Sequence, residues 1–317
     1  HDALPIFPEA IVEAPTAVPE EVPTEEAVDP TPVVQFEPTP EPTPLPVVEV
    51  PEPTVAEPTA VAVIEPAAPP TDWLSYVNYI RASAGIPPVV EDSGLTNAAL
   101  QHARYMVAND IASHNQDPNL PAASDAGAQA GDDGLIFVTQ DSSADYDTSI
   151  TFWASGPFHV VPMLNPRIDK MGYSTYVDAT DSGFRMGGVL NRGPRETHGE
   201  NKDVYPVKYP GDGQTTEVLK QTIDEWPDAL GHCGYSRPVG PPIVLMIGTG
   251  NQTANVGQYS VLENGSALEV CMINETNFNG LTAYQQETGR VILNSLDAVV
   301  LIPRNPLQEI GRASCRE

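Results

Sequence analysis

Hydrophobic positions change their period twice along this chain. Over residues 1–70 no period holds: valines, alanines and prolines alternate with carboxylates, as in Pro38-Thr39-Pro40-Glu41-Pro42-Thr43-Pro44. From Asp72 a helical period begins. Leu74, Val77, Ile80 and Ala84 share one face, Asp72 or Thr71 serves as N-cap, and Gly85 follows the end. Pro87-Pro88 stops the helix. A second helix, from Ser93 or Leu95 to about Asp110, carries the stripe Leu95, Ala99, Ala103, Met106 and Val107. A shorter third helix is predicted near 145–155, capped by Asp145 and burying Ile150 and Trp153. Strand-like runs follow at Gly172–Val177 and Phe184–Leu190. Helices first and strands later in one unit predict an α+β sandwich over 71–200. From about 201 the runs shorten: Val204–Val207, Ile243–Ile247, Gln258–Leu262, Leu268–Ile273 and Ala298–Pro303, with a hairpin turn at Glu263-Asn264-Gly265. Such spacing predicts a β-rich, Ig-like domain over 201–308.

Composition sharpens the first segment. Residues 1–70 hold 18 of the 34 prolines and 14 carboxylates, with no Lys or Arg. A chain so poor in backbone donors and aromatic bulk cannot build a core, and a disordered, extended acidic stalk is the expectation. The net charge of −28 argues against nucleic acid and against an anionic membrane surface. No apolar run approaches the ~20 residues of a membrane span. Residues 309–317 share nothing of the strand pattern before them and resemble the conceptual translation of a sequencing adapter. They are set aside, which leaves the β domain incomplete in expectation. Val300–Leu307 resembles the opening of a bacterial Ig-like repeat.

Of the remaining cysteines, Cys233 and Cys271 read as one disulfide in an oxidising compartment, with two buried thiols or a zinc site as the alternatives. Neither lies in a C-x-x-C pair, which disfavours zinc. Cys233 beside His232 makes a poor nucleophile–base pair, because sequence neighbours rarely have that geometry.

The order of motifs over about 120 residues resembles a known family. Trp73–Gly85 followed by Pro87-Pro88-Val89 resembles the Asn-x-x-Arg helix and Pro-rich turn that open bacterial CAP (SCP-like) domains. Leu100–Met106 resembles their second helix, and Ser113-His114 the Ser-His after it. Trp153-Ala154-Ser155-Gly156-Pro157-Phe158-His159 with Leu164-Asn165-Pro166 resembles the Trp-x-x-Ser-x-x-His…Leu-Asn-Pro signature, and Lys170–Tyr173 the closing strand. The resemblance implies an α-β-α sandwich and a secreted or surface-attached protein. It also implies a shallow cleft with two histidines and one or two glutamates, at times holding a divalent metal.

On that pattern His114 and His159 are the cleft histidines. Two neutral imidazoles can hold Zn²⁺ where oxygen ligands complete the sphere, and they can equally line a cleft without metal. His102 reads as structural. The family's Gly-Glu-Asn has no clear counterpart: Asp132, in Ala130-Gly131-Asp132-Asp133-Gly134, is the candidate substitute, within a stretch from 115 to 141 read as irregular. Gly199-Glu200-Asn201 beside His198 follows the second histidine and reads as linker. No Gly-x-Ser-x-Gly elbow, His-Glu-x-x-His, phosphate loop or dinucleotide fingerprint occurs. Gly211-Asp212-Gly213 and Gly248-Thr249-Gly250 read as turns, as do the sequons at Asn251, Asn264 and Asn274. The expectation is a monomeric, non-enzymatic surface module binding a ligand such as a glycan or lipid. The alternative is a metal-dependent hydrolase of peptide or cell-wall polymer, with His114 and His159 as ligands and Asp132 as acid/base.

Overall fold

A computed structural model describes residues 70–180, 183–195, 199, 204–308 and 313–315. The stalk expected over 1–70 lies outside the described residues apart from Pro70, as do His198, Glu200 and Asn201.

Helix α1, Trp73–Ser83, starts where a capping box can form. The Asp72 carboxylate accepts the Ser75 amide at 2.7 Å, and the Ser75 hydroxyl receives the Asp72 amide at 3.1 Å. Strand β1 (Val90–Glu91) leads into α2, Ser93–Ala108, capped by Asp92. The stretch expected to be irregular then folds: α3 spans Asp125–Asp133 with Ser124 as cap, and β2 spans Gly134–Thr139. Asp145 caps α4, Tyr146–Ser155, and α5, Pro157–Met163, follows at once. Strands β3 (Lys170–Val177) and β4 (Met186–Asn191) complete a sheet of order β1-β3-β4-β2, in which β1 lies parallel to β3 and the other pairs are antiparallel.

The period of two along these strands divides the core between two helical layers. On β2, Leu135 and Phe137 join α1, α4 and α5, whereas Ile136 and Val138 join Ala99, Ala103 and Met106 of α2. On β4 a Cβ at Gly187 would meet the Ala103 carbonyl of α2, and one at Gly188 would meet Ser149 of α4. The sheet is therefore sandwiched between helices. Trp153 is fully buried on the α4 side, edge-on to Tyr173 at 6.2 Å, with its Nε1 donating to the Ile136 carbonyl at 3.0 Å.

The α1 motif Asn78-x-x-Arg81 pins the chain ends around it. Asn78 both donates to and accepts from the Val89 backbone, at 3.0 and 2.8 Å. Arg81 is 0% exposed. Its guanidinium donates to four carbonyls: Pro87 (3.0 Å), Met163 (3.1 Å), Asn165 (3.0 Å) and Ile168 (3.0 Å). Burial lowers its pKa to about 10, so it remains charged at neutral pH.

Beyond 204 the described chain forms a second, antiparallel sheet of order β5-β6-β10-β9, from Val207–Tyr209, Ile243–Met246, Ala298–Pro303 and Val270–Asn274. Strands β7 (Val261–Glu263) and β8 (Ser266–Ala267) flank the Asn264-Gly265 turn, whose residues take φ of 51° and 82°. The third strand on their small sheet is β11, Ala313–Cys315, from the segment set aside on sequence grounds. Two helices absent from the β-rich expectation also occur here, α6 (Ala229–Cys233) and α7 (Ala283–Asn294). Cys233 of α6 and Cys271 of β9 are joined by a disulfide, with Cα atoms 5.7 Å apart. One hydrophobic cluster runs from Tyr76 through Phe158 and Phe278 to Ile302, so the two sheets share their core.

Replacing Arg81 with Ala removes the donor of four carbonyls, and the bonds to Met163 and Ile168 are buried. A loss of about 3–5 kcal/mol in urea unfolding is expected, and Arg81→Lys, with its single compact ammonium, should recover less than half of it.

Candidate functional site

His114 lies in the loop between α2 and α3, and His102 builds that loop. The His102 ring is wholly buried; Nε2 donates to the Ser113 carbonyl at 2.8 Å, and Nδ1 accepts from the Gln116 amide at 3.0 Å. The Gln116 oxygen takes the Ser124 amide at 2.9 Å, which links the loop to the cap of α3. Such a ring is neutral by construction, and burial lowers its pKa. The expected structural role of His102 thus has a concrete form: it shapes the loop that carries His114.

His114 itself is half-buried, with Nδ1 2.8 Å from the Gly131 carbonyl on α3. A carbonyl only accepts, so Nδ1 carries the proton and Nε2 is left as an acceptor while the ring is neutral. Burial is the chief cause of its lowered pKa, with the nearby charges of His159 and Arg192 adding to it. The Gly131 bond and the Asp132 charge pull the other way without prevailing. Gly131 is required by space, since a Cβ there would overlap the His114 carbonyl and the His102 ring.

His159 stands on α5, its side chain 10% exposed and its ring 5.1 Å from that of Phe152. Its Nδ1 lies 2.9 Å from Oε2 of Glu225, a carboxylate that comes from beyond the α-β-α sandwich and is 0% exposed. The same oxygen accepts the Phe158 amide at 3.1 Å. Burial raises the Glu225 pKa, and the hydrogen bond to His159 offsets this only in part.

Sequence reasoning named His114, His159 and Asp132 and missed Glu225. The two histidines are electrostatic neighbours. Asp132 is exposed on α3 and acts on His114 through its charge. Glu225 gives no local signal, because its partner is 66 residues away. Among the described residues no three His, Cys, Asp or Glu side chains come together to hold a metal. Two imidazoles alone leave a tetrahedral zinc site two ligands short, and the residues present do not fit the ion.

Both histidines lie in a segment that matches a known family. Residues 74–189 match the family described as CAP: Cysteine-rich secretory protein family, and that segment is a CAP domain. A crystal structure described as an extracellular protein containing a SCP domain, from Bacillus anthracis str. Ames, is similar at 19% identity with a TM-score of 0.29. The similarity covers 38% of this chain and 39% of that one, less than two thirds of its length. No curated protein matches the chain.

The depressed pKa values of His102 and His114 set a sign for stability against pH. Folded, each ring takes a proton less readily than at the ordinary value of 6.5, so unfolding gains protons as the pH falls below that value. Stability should decline on acidification from pH 7.5 towards 5. Glu225 acts oppositely: its contribution is present below the ordinary 4.5 and is lost as pH rises through its raised folded value. Urea midpoints across this range should fall less steeply for His102→Gln, which keeps one donor and one acceptor but does not titrate.

Proposed function

We propose that this chain is an extracellular, surface-displayed protein whose CAP domain works as a non-enzymatic binding module, with its ligand held at the cleft of His114 and His159. The observation that carries this reading is that each Nδ1 is committed inside the protein, to the Gly131 carbonyl and to Glu225. Each ring then has only Nε2 left to offer a ligand. Two polar ring nitrogens, one of them the acceptor Nε2 of His114, suit a hydroxyl-rich ligand, and they favour a glycan over a lipid.

The rest of the chain fits around that role. The acidic, Pro-rich segment 1–70 would serve as the spacer that holds the domain away from a surface. The region 201–308 is taken as completing the cleft, because Glu225 comes from it, in preference to a free-standing Ig-like adhesion unit. A metal-dependent hydrolase would need a third ligand and a placed base, and Asp132 is exposed.

Calorimetric titration of the full chain with Zn²⁺ should give no saturable heat that depends on His114, and one abolished in His114→Ala would favour the hydrolase. An array of soluble oligosaccharides should show a bound species whose affinity drops by up to about tenfold in His114→Ala, the worth of one hydrogen bond. No glycan retained by the wild-type chain would refute the binding reading.

A further inference from the structure

We propose that Glu225 is a positioning residue of the cleft: it fixes His159 in the Nδ1–H tautomer and leaves Nε2 as the open acceptor. In consequence, a segment outside residues 74–189 is a working part of the CAP site. This inference is independent of which ligand the cleft takes.

The chemistry of one oxygen carries it. Oε2 of Glu225 accepts the Phe158 amide at 3.1 Å while facing His159 Nδ1 at 2.9 Å. Two N–H donors facing one oxygen are matched when that oxygen carries no proton, so we assign the proton between Oε2 and Nδ1 to the imidazole. Oε1 has no hydrogen-bond partner among the described residues. Burying a carboxylate with half of its acceptor capacity unused costs stability, which sets the loop's position against its own solvation.

The loop is built to hold that position. Arg237 brackets Glu225 from both sides: it pairs with Asp224, its Nη2 meets Asp228 at 3.3 Å, and its Nε donates to the Ile223 carbonyl at 3.1 Å. A backbone bridge between Gln221 and Val239 closes the base of the same loop. Gly156 precedes α5 as its N-cap residue, and any Cβ there would run into Oε2. Gly156 offers no side-chain cap, so the Phe158 amide depends on Glu225.

That last point supplies the competing explanation, that Glu225 only caps α5. A cap alone would leave the His159 ring free to take either tautomer, and the Nε2–H form is the one free imidazole favours. Long-range ¹H–¹⁵N spectra of the full chain, labelled at histidine, separate the two, with His159 assigned by its loss in His159→Gln. The wild type at pH 7.5 should show His159 almost wholly as Nδ1–H. Glu225→Gln keeps an accepting oxygen and should retain it. Glu225→Ala should drop the Nδ1–H fraction below half. An Nε2–H signature in the wild type would overturn the proposal, as would an undiminished Nδ1–H signal in folded Glu225→Ala. Should Glu225→Ala fail to fold, the wild-type and Glu225→Gln spectra decide alone: loss of the Nδ1–H signal in either counts against it.

Discussion

A single buried guanidinium holds this structure in register. Arg81 reaches from α1 to the carbonyls of Pro87, Met163, Asn165 and Ile168, which belong to the turn after its own helix, to the end of α5 and to the loop before β3. These carbonyls have few other donors, since helix ends and Pro-rich turns leave such groups orphaned. A planar donor with five N–H groups on three nitrogens can reach all four at once, whereas a lysine has three donors on a single nitrogen. The cost of burying a charge is met with carbonyl dipoles in place of a counter-ion, and Arg81 stays ionised with its pKa at about 10. Because Arg81 fixes the C-terminal end of α5, it also sets where the other end of that short helix carries His159.

From that anchor the two histidines are placed by two different routes. His114 is placed locally, through a chain of side-chain bonds from His102 to Gln116 to the Ser124 amide. His159 is placed at long range, by a carboxylate whose loop is clamped by Arg237 and followed directly by α6, itself tied to β9 through Cys233–Cys271. The first route lies wholly inside the segment that matches the family; the second leaves it. Each route also needs a glycine: Gly131 leaves room for the His114 carbonyl and the His102 ring, and Gly156 leaves room for the Glu225 carboxylate.

This division explains what could be read from the sequence. The caps Asp72 and Asp145 and the stripes of α1, α2 and α4 were legible because capping and helical period are local properties. Helix α3, Asp125–Asp133, was not, because two internal glycines weaken its helical signal; they are needed for packing against Gln116 and His102. Strand β2 went unseen with it, although Leu135 and Phe137 do alternate with Ile136 and Val138. Helix α7 is polar over its first half, and its apolar side shows only once Gly289 meets Phe278. His114 and His159 were singled out by resemblance to a family motif, whereas Glu225 has no counterpart in that motif and no partner nearby in sequence.

Why His114 should be neutral in so acidic a protein is a question of range. A net charge of −28 would favour protonation if it acted at full strength. Exposed charges farther than about 8–10 Å are screened by salt, so most of the carboxylates are silent at His114. What remains is local: burial, the neighbouring His159 and Arg192 oppose a proton, and only the Gly131 carbonyl and Asp132 favour one. Burial is the largest of these effects, and it wins. The ring therefore meets its surroundings as a neutral acceptor, and the acidity of the chain governs how the protein behaves in solution without setting the chemistry of this histidine.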